Sequence, residues 1–279
     1  MSMLRSILLH LDASKRSTNR LLLCRDLAAL HDARVTALYA TIPSVYSVPF
    51  VISDGAAELL PLLQKVDEDR RVEAKALFDR AISSGPSPIV WSELENVPLI
   101  PGVTAHALCS DLIVFGQHDP NDQASGGIPA DLIPSVLIAS GRPSLVIPYL
   151  DICATIGQRV VIAWKPTREA AHAISAAVPF LRRAQHIHLV ADNGYEGVGG
   201  AATSVAAYLR LHGVTAPIEH RSAVSSEASG EGLLSLASDV DGDLLVMGCY
   251  GHSRARELVL GGASRTVLES MTLPVLMAH

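Results

Sequence analysis

The sequence predicts an α/β fold: two tandem open-sheet, doubly wound domains of Rossmann-like type, each with a five-stranded, mainly parallel sheet. Three observations carry that expectation. Apolar runs of strand length recur without in-and-out alternation, which marks strands covered on both faces. Each run is followed by turn chemistry and then a helical pattern, the order that a parallel sheet with crossover helices requires. The whole order occurs twice, with near-matching strand motifs toward the end of each half.

In chain order, Ser6-Ile-Leu-Leu-His-Leu11 is the first such run, and Asp12-Ala-Ser14 follows it with turn and N-cap chemistry. The same order returns at Arg159-Val-Val-Ile-Ala-Trp164, Lys165-Pro-Thr167 and a helical stretch through Arg183. Ser14 and Thr167 are good helix N-caps, and Pro166 suits the residue before one. The repeat is clearest where Ser110-Asp-Leu-Ile-Val-Phe-Gly116 matches Gly242-Asp-Leu-Leu-Val-Met-Gly248, each an acidic turn, a buried strand and a terminal glycine. Beyond these motifs, Val136-Leu137, Pro143 and Leu145-Val146-Ile147 correspond at one constant offset to Val267-Leu268, Pro274 and Leu276-Met277-Ala278. The first copy carries extra residues between Thr41 and Arg80, including a helical pattern from Ala56 to Ile82. Residues 1–150 and 151–279 are therefore the expected domains, with the boundary between Leu150 and Gly157.

Composition narrows the function. Hydrophobic residues make up 49% and charged residues 18%, a balance that builds a sizeable core. A net charge of −6 without any Lys/Arg run excludes a sequence-independent grip on nucleic acid, which needs a dense basic face. Cys24, Cys109, Cys153 and Cys249 are scattered and form no C-x-x-C pair, so neither a disulfide framework nor a zinc ribbon is indicated. The apolar start from Met1 to Leu11 is short and stopped by Asp12, and no apolar stretch reaches bilayer length. The expectation is a cytoplasmic protein with reduced thiols and no membrane partner.

Open α/β sheets bind ligands outside the carboxyl ends of their strands, where strand order reverses. After the last buried strand of the second copy comes Gly248-Cys-Tyr-Gly251-His-Ser-Arg-Ala-Arg-Glu-Leu-Val-Leu-Gly261-Gly262-Ala-Ser264, which opens the final helix. Glycines allow a sharp turn and expose successive N–H groups, and a helix N-terminus adds unpaired donors and positive dipole. His252, Arg254 and Arg256 lie between the glycines and can add charge. A phosphate group is the natural guest.

This pattern resembles the universal stress protein family, whose G-x-x-G, nine residues and G-[S/T] after the fourth strand bind the ATP phosphates. Gly248, Gly251 and Gly261 match those glycines at the family spacing, and the terminal Pro-Val-Leu-Met strand and tandem arrangement match as well. The resemblance implies the adenine nucleotide alpha hydrolase-like fold, a stress-response role and adenine nucleotide as ligand, namely ATP with or without Mg. The residues expected to hold it are Gly248, Gly251, His252, Arg254, Gly261, Gly262, Ser264 and Lys165. It also implies that Ser144 to Ile147 and Val275 to Met277 lie against each other as an intramolecular domain pair, and it allows a homodimer.

Two departures bear on that site. Gly262 stands where the family's ATP binders have Ser or Thr, which leaves Ser264 as the hydroxyl nearest in sequence. Lys165-Pro166-Thr167 stands where the family has Asp-Gly-Ser; a lysine can pair with phosphate but cannot accept hydrogen bonds as a carboxylate does. The first copy has the opposite defect. Asp12-Ala13-Ser14 keeps the acid, but Gly116-Gln-His-Asp119 has lost the second glycine and presents a carboxylate where phosphates would sit. The stretch Asp119 to Gly127 reads as degenerate, so the first copy is expected not to bind ATP.

Other patterns carry less. Gly251-His-Ser253-Arg-Ala255 approximates a nucleophile elbow, yet only Glu257, Glu269 and His279 follow it as partners. Cys249 and His252 form a lone pair without a second pair of ligands. His186 and His188 share one face of a strand and read as a packed or surface pair. The glycines from Gly194 to Gly200 read as a connection, and Asp67 to Arg71 as a solvated helix face. No Walker lysine, paired catalytic carboxylates or metal cluster appears, so turnover would be at most slow hydrolysis. The competing expectation is an interaction scaffold that has lost ATP and acts through its paired sheets.

Overall fold

A computed structural model describes residues 4–14, 16–47, 56–83, 89–95, 97–122, 128–149, 156–192, 201–223, 229–250 and 262–279. Strands and helices alternate through both halves, and the chain divides into two compact units, Met1–Ser140 and Gly141–His279.

In the first unit, β1 (Ser6–Leu11), β2 (Arg34–Tyr39), β3 (Ile89–Glu93) and β4 (Leu112–Gly116) lie in the order β3-β2-β1-β4, all parallel. Ile7, Leu8, Leu9, Ile113, Val114 and Phe115 are fully buried, as continuous apolar runs covered on both faces should be. Helix α1 (Arg16–His31) packs on β1 and β4 and against α2 (Ala56–Ile82), while α3 (Leu99–Ala107) packs against α4 (Leu132–Ser140). The extra helical pattern of the first copy is α2, with the bounds that its periodicity indicated. It is anchored by Ala74 and Phe78, the latter tilted against Trp91, which stacks on Tyr39 at 5.7 Å.

In the second unit, β5 (Ser144–Ile147), β6 (Arg159–Trp164), β7 (His186–Asp192), β8 (Ile218–Ala223), β9 (Leu244–Gly248) and β10 (Val275–Ala278) lie in the order β5-β10-β9-β6-β7-β8. Five of these strands are parallel. The sixth, β5, runs antiparallel to β10 with Leu145 opposite Leu276, so the two last strands pair as expected. Helix α5 (Arg168–Leu181) lies on β9 and β10, α6 (Ala201–Leu211) connects β7 to β8, and α7 (Gly230–Asp239) packs against α8 (Ala263–Ser270).

The spatial division falls at Ser140–Gly141, whereas the sequence repeat places β5 at the end of the first copy; the ladder to β10 draws β5 into the second unit. The acidic turns of the repeat also have a specific task. Asp111 accepts hydrogen bonds from the Arg5 and Ser6 amides at 2.8 and 2.9 Å. Asp243 accepts from Gly157, Gln158 and Arg159 at 2.9 to 3.0 Å. Each aspartate thus satisfies the otherwise unpaired N–H groups where the first strand of its copy begins.

Candidate functional site

In the second unit β6 is flanked by β7 on one side and β9 on the other, so strand order reverses at the carboxyl ends of β6 and β9. Their register runs to Ala163 opposite Met247, which brings the two following residues of interest, exposed Lys165 and strand-ending Gly248, to the same end of the sheet. Helix α5 starts there. Thr167 is its N-cap, with extended backbone and a hydroxyl that accepts from the Ala170 amide at 3.3 Å.

Gly248 is required by close approach. A Cβ at that position would stand 2.5 Å from the Ala170 nitrogen and 2.7 Å from the Glu169 carbonyl carbon, so a side chain would have to displace the first turn of α5. Cys249 is tied into the sheet, its N–H and Sγ both directed at the Ala278 carbonyl, at 2.9 and 3.2 Å. Tyr250 then takes a left-handed φ of 55°, which swings the chain away from the strand direction. Gly251, His252, Arg254, Arg256 and Gly261 lie outside the described residues. The chain is described again from Gly262, the N-cap of α8, whose extended backbone offers no side-chain oxygen to the first turn. Ser264 follows inside that turn and is buried.

The equivalent place in the first unit is already filled. At the ends of β1 and β4, buried Asp12 and Arg20 form an ion pair of 2.9 Å, and Ser17 bridges them with its hydroxyl 2.8 Å from each. Asp12 also accepts from the Ser14 amide at 2.9 Å. Burial alone would raise the Asp12 pKa, but Arg20, His10 and the Ser14 and Ser17 hydrogen bonds outweigh it and bring it down to about 2. His10, held through Nε2 to the Ala40 carbonyl at 2.9 Å, is shifted below its ordinary value chiefly by desolvation. The Arg20 guanidinium lies over Gly116, with Nη1 2.1 Å from where a Cβ would be. Arg16 pairs with Asp119 and stands 3.8 Å from Asp122. Between them remains a cavity of about 30 Å³, room for water-sized species and far below a nucleotide.

Carrying the repeat across shows what the second unit lacks. The positions of His10, Asp12, Ser17 and Arg20 become Ala163, Lys165, Ala170 and Ala173. An exposed lysine and an alanine stand where the buried ion pair would be. The sequence shows the retained acid Asp12 at this place but does not single out Arg20; the available signal is an arginine on the stripe Ser17, Leu21, Cys24 and Ala28, which α1 buries. Among the described residues no group of three His, Cys, Asp or Glu is placed to hold a metal ion.

Residues 158–279 match the model of the universal stress protein family, so the second unit is similar to that family. Across both units the fold matches a universal stress protein from Archaeoglobus fulgidus DSM 4304, with a TM-score of 0.71 at 14% identity, covering 98% of this chain and 95% of that one. It also matches a functionally unknown protein from Pseudomonas aeruginosa PAO1, with a TM-score of 0.57 at 15% identity, covering 99% and 92%. At such identities the likeness is one of fold. No curated protein matches the sequence. Among the described residues no helix is long and apolar enough to cross a membrane.

Proposed function

We propose that the chain is a cytoplasmic stress-response module that binds one adenine nucleotide, ATP with or without Mg, in its second unit. The carrying observation is the contrast at the two strand-order reversals: the first is closed by the Asp12–Arg20 ion pair, the second offers Gly248, alanines and a lysine. Gly248, Gly251 and Gly261 keep the family spacing, and α8 begins where that loop ends, without a side-chain cap on its first turn. Phosphates seated there would receive backbone N–H groups and the α8 dipole. Lys165, His252 and Arg254 would add countercharge, and Gly262 and Ser264 would complete the rim. The module works by binding, with at most slow hydrolysis of the nucleotide it holds.

Amide chemical shifts test the assignment directly. Titration of ¹⁵N-labelled protein with Mg-ATP should move the resonances of Lys165, Gly248 and Ser264 and leave those of Asp12, Ser14 and Gly116 in place; the reverse pattern would remove the site from the second unit. Lys165 and Gly262 favour a second reading, a scaffold without nucleotide, and that reading predicts no shift in either set.

A further inference from the structure

We propose that the cavity of the first unit is a binding site for one small inorganic anion, chloride in size, held by the Arg20 guanidinium. Its volume of about 30 Å³ suits one such ion. Arg20 lines the cavity and is only 5% exposed. Its Nη2 is used by Asp12 and Ser17, but among the described residues its buried Nε has no hydrogen-bond partner. A buried cationic donor without an acceptor is costly, and native structures supply one from protein, water or ion.

Other titratable groups line the cavity beside Arg20, His118 among them. Asp12 is engaged by Ser14, Ser17 and Arg20, and Asp119 by Arg16 and the Asn121 amide at 3.0 Å. Asp122 stands beside Arg16 at 3.8 Å. His10 already directs Nε2 at the Ala40 carbonyl. The first residues of α1 and α4, Arg16 and Leu132, both line the cavity, so two helix N-termini add positive potential. Gly116 is what allows the guanidinium to lie against the strand end, because any Cβ there would collide with Nη1. A metal cation is the poorer occupant, since no ligand cluster for one exists among the described residues.

Bromide locates the ion. Crystals grown without halide and soaked in sodium bromide should show an anomalous peak within hydrogen-bond distance of the Arg20 guanidinium. In solution, thermal melts in sodium chloride against sodium gluconate at equal ionic strength should show a saturable rise in Tm with chloride, as ligand linkage requires. Arg20→Lys, which keeps a charge beside Asp12 but loses the planar fork, should abolish that rise. No peak at Arg20 would overturn the proposal. So would a peak accompanied by identical melts in the two salts, which would mark an adventitious ion only. Both measurements use the unmodified chain, so the proposal stays decidable even if the lysine variant does not fold.

Discussion

Arg20 occupies the buried stripe of α1, where a hydrophobic residue would ordinarily sit, and its partner Asp12 directly follows β1. Removing one member of such a pair strands the other charge in the core. Arg20→Met should therefore cost roughly 3–5 kcal/mol in urea denaturation, and adding Asp12→Asn to it should recover part of the loss. The same pair sets an acid dependence. Asp12 is depressed from 3.8 to about 2 in the folded chain, so its contribution is full above about pH 4 and disappears as pH falls toward 2. His10 acts in the same direction from about pH 6.5 downward, because the unfolded chain accepts its proton more readily than the buried ring does. Melts of the unmodified chain should lose stability in both windows, and Asp12→Asn should reduce the loss in the lower one, to which Asp119 and Glu169, also held below their ordinary values, contribute. At this scale the glycines and the buried runs were legible in the sequence. The arginine was not, because the polar residue that fills the first site lies eight positions from its partner and on a different element.

Helix α5 is fixed by Thr167, whose hydroxyl meets the Ala170 amide, and Thr167→Ala should destabilise by about 1 kcal/mol in denaturant titration. Helix α8 begins at Gly262 with an extended backbone that serine also adopts. Gly262→Ser should thus raise stability by a few tenths of a kcal/mol, about the difference between the two residues as N-caps. It should also tighten Mg-ATP binding by supplying the hydroxyl that the family carries there; unchanged affinity would assign the position to the helix alone. The strands were legible because continuous apolar runs admit few other folds, and α2 because its period is long and regular. The purpose of the acidic turns was not. Asp111 and Asp243 reach amides more than eighty positions away in the chain, contacts that no local pattern encodes.

For the molecule as a whole, tandem repetition was legible from aligned motifs, but the spatial division was not, because the ladder of β5 to β10 is a long-range pairing. Duplication leaves two strand-order reversals with different contents. One has been closed by charge, the other retains the glycine spacing. This asymmetry sets the stoichiometry expected of a chain with two similar units, one nucleotide rather than two.

Calorimetric titration with Mg-ATP of the unmodified chain, beside a Gly251→Asp variant that puts a carboxylate into the proposed phosphate loop, measures that asymmetry most directly. The account predicts binding at about one site per chain, abolished in the variant. Two sites per chain, or a single site that survives Gly251→Asp, would contradict it, and the absence of binding at cellular nucleotide concentrations would leave the glycines as inherited turn geometry in a scaffold.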